Sequence, residues 1–197
     1  MSHPPGPHTP RTQWVQVWPL WQRVLHMGLA AAVLIALFTH EGGRMHEAAG
    51  YVALACAVLR ILMGFAGPTV TRFSSFVHGA RVTWAYAQQL LHGVEPRHIN
   101  HNPLGAWMVL ALLVVILIGA ASGALYATDR YWGDATLIAI HAASCWALLP
   151  LVVLHWVGVA HASWRHRENL AAAMWDGRKA ATDDAPHAAR ASSDQPG

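Results

Sequence analysis

The stretch IHAASCWALLPLVVLHWVGVAH, from Ile140 to His161, decides the fold. It lies inside a longer block, Ala135 to Trp164, that contains no Asp, Glu, Lys or Arg. Such a block exceeds the roughly 20 residues an α-helix needs to cross the hydrocarbon core of a bilayer. It nevertheless carries histidines, and an ionisable ring in hydrocarbon is costly unless it faces a bundle interior and has a partner there. His141 and His155 are fourteen positions apart. On an α-helix that separation is about 21 Å of height on nearly the same face, so the two rings mark two levels of one span. His161 turns away from that face, and Pro150 between the two rings is a place where the helix can bend.

Working outward, Leu104 to Ala127 is equally free of charge, while Val17 to Phe38 holds Arg23 and His46 to Phe65 holds Arg60 near its far end. At 54% hydrophobic and 12% charged residues, the whole chain is too apolar for an ordinary soluble domain. The expected fold is an all-α integral membrane four-helix bundle with spans at about 17–38, 46–65, 104–126 and 135–162. The bundle domain occupies 15–180, between disordered tails at 1–14, which is Pro-rich, and 181–197, which is rich in Ala, Ser, Asp and Pro. The first block has full span length and no small-residue cleavage pattern, so the first helix is expected to remain. Tryptophans near the proposed helix ends, Trp14, Trp18, Trp21, Trp132, Trp164 and Trp175, fit the interfacial belt.

Between spans 2 and 3, Phe76, Ala80, Trp84, Ala87 and Leu91 recur at helical spacing beside Arg81 and Gln88, which predicts a surface helix within Phe73 to His92. Gly93 and EPRHINHNP end it. Arg11, Arg23, Arg72, Arg81, Arg97, Arg165, Arg167, Arg178, Lys179 and Arg190 fall on one side of the spans, against Arg44 and Arg130 on the other. By the positive-inside rule, both termini and this surface helix are cytoplasmic, in a bacterial inner membrane. The basic residues are spread over short flanking segments instead of one stripe, so nucleic-acid binding is not indicated. Cys56 and Cys145 form no CxxC or CxxCH pattern, so neither a zinc clip nor covalent haem attachment is indicated.

Of the fourteen histidines, those in the tails and the middle connection read as solvated polar residues, and His40 sits at a helix exit near water. His26 and His46 do not. His26 lies about two turns into the first span, at the depth of His155, and His46 opens the second span near the level of His141. Two bis-imidazole pairs result, each suited to hold the iron of a haem b in an apolar slot. Arg60 stands fourteen residues after His46, on nearly the same face at the inner level. It calls for an anion such as a haem propionate, or a quinone headgroup, unless it snorkels to the cytoplasm; Arg23 is a weaker candidate of the same kind. The same histidines would also serve a proton or metal-ion transporter without haem, and the chain could anchor a redox complex independently of haem.

The chain resembles the bacterial cytochrome b561 family, including the b-type cytochrome subunits of nickel-iron hydrogenases. The resemblance runs from Val17 to Lys179. It rests on WPLWQRVLHMGL, MHEAAGYVALACAVLRILMGF, RFSSFVHGA, HNPLGAWMVLALL, the last span quoted above and WRHRENLAAAMWDGRK. It implies two non-covalent b haems with axial ligands His26, His46, His141 and His155. It also implies electron exchange between quinone and a redox partner, such as a periplasmic c-type cytochrome or hydrogenase subunit. Relatives carry an acidic residue directly after the first histidine of the last helix, where this chain has Ala142, so the hydrogen bonding around that ligand differs here.

Overall fold

Each long apolar block folds as one uninterrupted helix. The computed structural model describes residues 14–93 and 102–180. It contains α1 (Leu20–Phe38), α2 (Arg44–Ala66), α3 (Ala80–Leu91), α4 (Pro103–Tyr126), α5 (Ala135–His166) and α6 (Leu170–Asp176). Four of these, α1, α2, α4 and α5, are long and apolar enough to cross a membrane. Their starts follow from local chemistry. Asn102 accepts a hydrogen bond from Gly105 N at 2.6 Å with Pro103 next to it, and Asp134 accepts from Thr136 N and Leu137 N at 2.8 and 2.9 Å. Both side chains satisfy backbone donors that a helix start leaves open. Gly42 and Gly43, at φ +93° and +88°, make the tight turn from α1 into α2. Pro150 does not interrupt α5.

Helix packing runs as a chain: α1 against α2, α2 against α4, and α4 against α5. Small side chains make this possible. The buried face of α2 is Ala49, Ala53, Ala57, Arg60 and Gly64, so one charged residue continues a stripe of small ones. On α4, Gly119 and Gly123 stand one turn apart where α5 comes closest; a Cβ on Gly119 would lie 3.2 Å from Ser144 Cβ. This is the small-residue approach that lets membrane helices pack without a hydrophobic driving force. Among the described residues, α5 makes no comparable backbone approach to α1 or α2. Between the levels of the histidines, Ala32, Val33, Ala57, Leu113, Ile116 and Leu148 form the apolar core. The outer faces carry exposed large apolar side chains, Trp146, Val153 and Trp156 among them, as a lipid-facing surface does.

The α1–α2 and α4–α5 connections meet at one end of the bundle, hereafter the hairpin end, and the paired segments Trp14–Gln16 and Arg178–Ala180 lie at the other, hereafter the termini end. At the termini end the expected all-helical architecture gains a two-stranded ribbon. Strand β1 (Trp14–Gln16) pairs antiparallel with β2 (Arg178–Ala180), with Trp14 opposite Ala180. Gly177, at φ +77°, accepts from Val17 N and Trp18 N at 2.9 and 3.2 Å, and the Trp18 side chain, expected in an interfacial belt, is buried. Of the expected tails at 1–14 and 181–197, residues 1–13 and 181–197 lie outside the described residues, while Trp14 belongs to β1.

The surface helix is shorter than its sequence pattern suggests. It begins only at Ala80, after two 3-10 turns, Thr69–Thr71 and Phe73–Ser75. Phe76 is drawn into the bundle instead of onto the helix, being 2% exposed. Trp107 pins α3 to α4, its Nε1 donating to His78 O at 3.2 Å and Thr83 Oγ1 at 3.1 Å.

Candidate functional site

Two levels of paired histidines span the seam between α5 and the α1–α2 hairpin. At the termini level, the rings of His26 on α1 and His155 on α5 have centroids 6.3 Å apart. At the hairpin level, His46 on α2 and His141 on α5 stand 5.8 Å apart, nearly edge to face. Imidazole binds a first-row metal at about 2 Å. Two rings bound to opposite sides of one ion therefore have centroids about 6 to 6.5 Å apart, and both pairs lie close to that separation. Two donors are too few for a dedicated zinc or copper site, which takes three or four. Two suffice for an iron whose other positions belong to a macrocycle. Among the described residues no group of three or more His, Cys, Asp or Glu is placed to hold a metal ion.

The hairpin level is already oriented for such a task. His46 Nδ1 lies 3.0 Å from Ala36 O, and His141 Nδ1 lies 2.8 Å from Gly119 O. A carbonyl on Nδ1 fixes the tautomer that donates there and leaves Nε2 its lone pair. Ala36 belongs to the last turn of α1, whose carbonyls lack intrahelical partners, so the end of one helix orients the ring of the next. Cys145, one turn after His141, has its Sγ 3.7 Å from Nε2. Gly123 lies directly behind the His141 ring: a Cβ there would stand 2.9 Å from both Cε1 and Nδ1. A cleft of about 350 Å³ opens at this level, lined by His46 and His141 together with Gly50, Gly123, Ala124 and Trp132. His40 lines the same cleft, and His161 packs against Trp164, with centroids 6.4 Å apart.

At the termini level, Arg60 does not snorkel. It is 8% exposed, its Cζ stands 5.0 Å from the centre of the Phe73 ring and 6.0 Å from that of Phe76, and its Nη1 is buried with no hydrogen-bond partner among the described residues. The aromatic faces hold the guanidinium but leave a donor unspent. Gly64 makes space for this shelf, since a Cβ on it would collide with the edge of the Phe73 ring. Arg23 packs against Gly177, and its Nε is buried with no hydrogen-bond partner among the described residues.

The structure brings together His26 with His155 and His46 with His141, the pairs that the sequence spacing matched. Sequence reasoning missed Gly119 and Gly123, although a GxxxG spacing in an apolar span was there to be read. It also missed Phe73 and Phe76 as the shelf under Arg60, which no local pattern announces.

These features define a membrane helical bundle with stacked imidazole pairs, the arrangement of a protein that holds haem within the bilayer. The family model of prokaryotic cytochrome b561 matches residues 17–177, and the chain belongs to that family. It is thus a multi-pass b-type membrane cytochrome that binds haem b and serves electron transfer. Neither the comparison with curated proteins nor that with solved structures gives a match.

Proposed function

We propose that the protein is a diheme cytochrome passing electrons between the quinone pool and a redox partner outside the membrane. His26 and His155 hold the inner haem, and His46 and His141 the outer one. The observation that supports this most strongly is the pair of ring separations, 6.3 and 5.8 Å, at two levels of the same seam. When bound, haem supplies one-electron chemistry at its iron. The chain supplies the rest. Its imidazoles fix the two positions, the carbonyls of Ala36 and Gly119 hold the outer rings in one tautomer, and the apolar core excludes water between the levels. With the basic residues concentrated at the termini end, that end is cytoplasmic and the hairpin end faces outward, in a bacterial inner membrane.

The expected result for the detergent-purified wild type is a reduced-minus-oxidised spectrum of b-type haem and, by pyridine haemochrome, about two haems per chain. A folded, colourless preparation from haem-sufficient cells would refute this reading and favour a histidine-lined transporter or a haem-independent anchor.

Arg60 and Arg23 bind anionic or carbonyl groups at the inner level, a haem propionate or a quinone headgroup. A buried guanidinium with an unpaired donor costs several kcal/mol unless something meets it. Arg60 cannot take or release the quinone's protons, because guanidinium stays charged. An Arg60→Ala variant that keeps both haems should reduce normally with dithionite but lose roughly tenfold or more in its rate with a soluble quinol analogue, the scale of losing a charged hydrogen bond of about 1.5–3 kcal/mol. An unchanged quinol rate would remove Arg60 from the quinone site.

A further inference from the structure

At the hairpin level, both histidines have Nδ1 held by a backbone carbonyl. At the termini level, His26 Nδ1 is buried and has no partner among the described residues. One turn earlier on α1, Gln22 is 6% exposed, and its Oε1 is also buried without a partner. Residues four apart are neighbours on a helix, and helical side chains lean toward the N-terminus, so the ring of His26 lies over the turn that carries Gln22. An unbonded buried acceptor costs about 1–3 kcal/mol, and the same holds for a donor. The two atoms stand on adjacent turns of one face and are not bonded to each other in this structure, so the bond between them is one that rotation of the Gln22 side chain would make. Arg23 cannot resolve either orphan: guanidinium has no acceptor for Nδ1–H, and side chains at adjacent positions, such as Gln22 and Arg23, do not face each other.

We propose that Gln22 is a positioning residue for the inner haem, its Oε1 accepting the Nδ1–H of His26 and turning Nε2 toward the iron. It does for His26 what Ala36 and Gly119 do for the outer pair. This rests on His26 being an axial ligand, as proposed above. An acceptor on Nδ1–H makes the imidazole a stronger electron donor and favours ferric over ferrous iron. Leucine at this position offers no acceptor, and glutamate offers a charged, stronger one.

The test is a potentiometric titration of the full-length, detergent-purified protein, with the two waves assigned in a His141→Ala background that retains only the inner haem. Gln22→Leu should shift the ferric-to-ferrous stability ratio of the inner haem about tenfold, raising its midpoint by about 59 mV for one electron. Gln22→Glu should lower it, while the outer wave stays in place in both. Loss of the inner haem alone from Gln22→Leu, with retention in Gln22→Glu, supports the same conclusion. An inner midpoint unmoved in both variants, shifted in the same direction by both, or moved together with the outer wave overturns the role of Gln22. Failure of the ligand reading looks different: wild type then lacks the inner haem altogether, and the inference falls with it.

Discussion

Replacing His155 with alanine is expected to take the haem content from about two to about one per chain, and His26→Ala is expected to remove the same haem. His46→Ala and His141→Ala should instead remove the other. The pairing makes the expectation specific, because each level has one imidazole from α5 and one from the α1–α2 hairpin. In the proposed arrangement, losing either member would leave the haem iron held by a single imidazole, and among the described residues no group of three or more His, Cys, Asp or Glu is placed to hold a metal ion. The double variant His26→Ala/His155→Ala should therefore cost no more haem than either single one, whereas His26→Ala/His141→Ala should leave none. Haem content measured by pyridine haemochrome separates these outcomes. Additive loss within one level would break the pairing.

Valine at Gly123 should be nearly as damaging to the outer haem although it removes no ligand. A Cβ there would stand 2.9 Å from two atoms of the His141 ring, and valine adds two methyl groups behind it. The ring has little room to retreat, since its Nδ1 is tied to Gly119 O on the same helix at 2.8 Å. Overpacking of this kind costs about 1–3 kcal/mol when a side chain can be displaced. If the displaced side chain is a ligand, as proposed, the strain should appear as loss of the outer haem, with the inner one kept. Gly158→Ala on α5, where a Cβ would meet nothing within 4 Å, is the matching control and should keep both. Full occupancy in Gly123→Val would show that His141 does not bind from this position.

Much of the architecture is visible in single-residue chemistry, because a bilayer imposes length and polarity so strictly. Blocks without charge became helices within a few residues of their expected ends, since Asn102, Asp134 and Gly42 mark the starts and turns chemically. The histidine levels were legible for a related reason: the α-helical rise is fixed, so a spacing of fourteen residues on α5 converts directly into depth. Features that depend on distant segments were not. Phe73 and Phe76 belong to a helical-looking pattern, yet they turn inward because Arg60 and Gly64 on α2 give them a place to pack. The ribbon between Trp14–Gln16 and Arg178–Ala180 joins opposite ends of the chain, and neither three-residue strand stands out alone. Gln22 looked like an ordinary polar residue near a helix start, and only its burial reveals the orphaned oxygen.

Between the two histidine levels, the core cluster of Ala32, Val33, Ala57, Leu113, Ile116 and Leu148 offers neither a titratable group nor a hydrogen-bonding side chain. In the proposed diheme arrangement, an electron that steps between the levels would travel without a counter-ion, through a layer that works as the dielectric of a capacitor. Moving a full charge across the hydrocarbon is worth about 2.3 kcal/mol per 100 mV, and this step takes its share of that work in proportion to the depth it covers. The membrane voltage therefore enters the equilibrium between the two centres directly. An electron passed inward charges the membrane, and one passed outward discharges it.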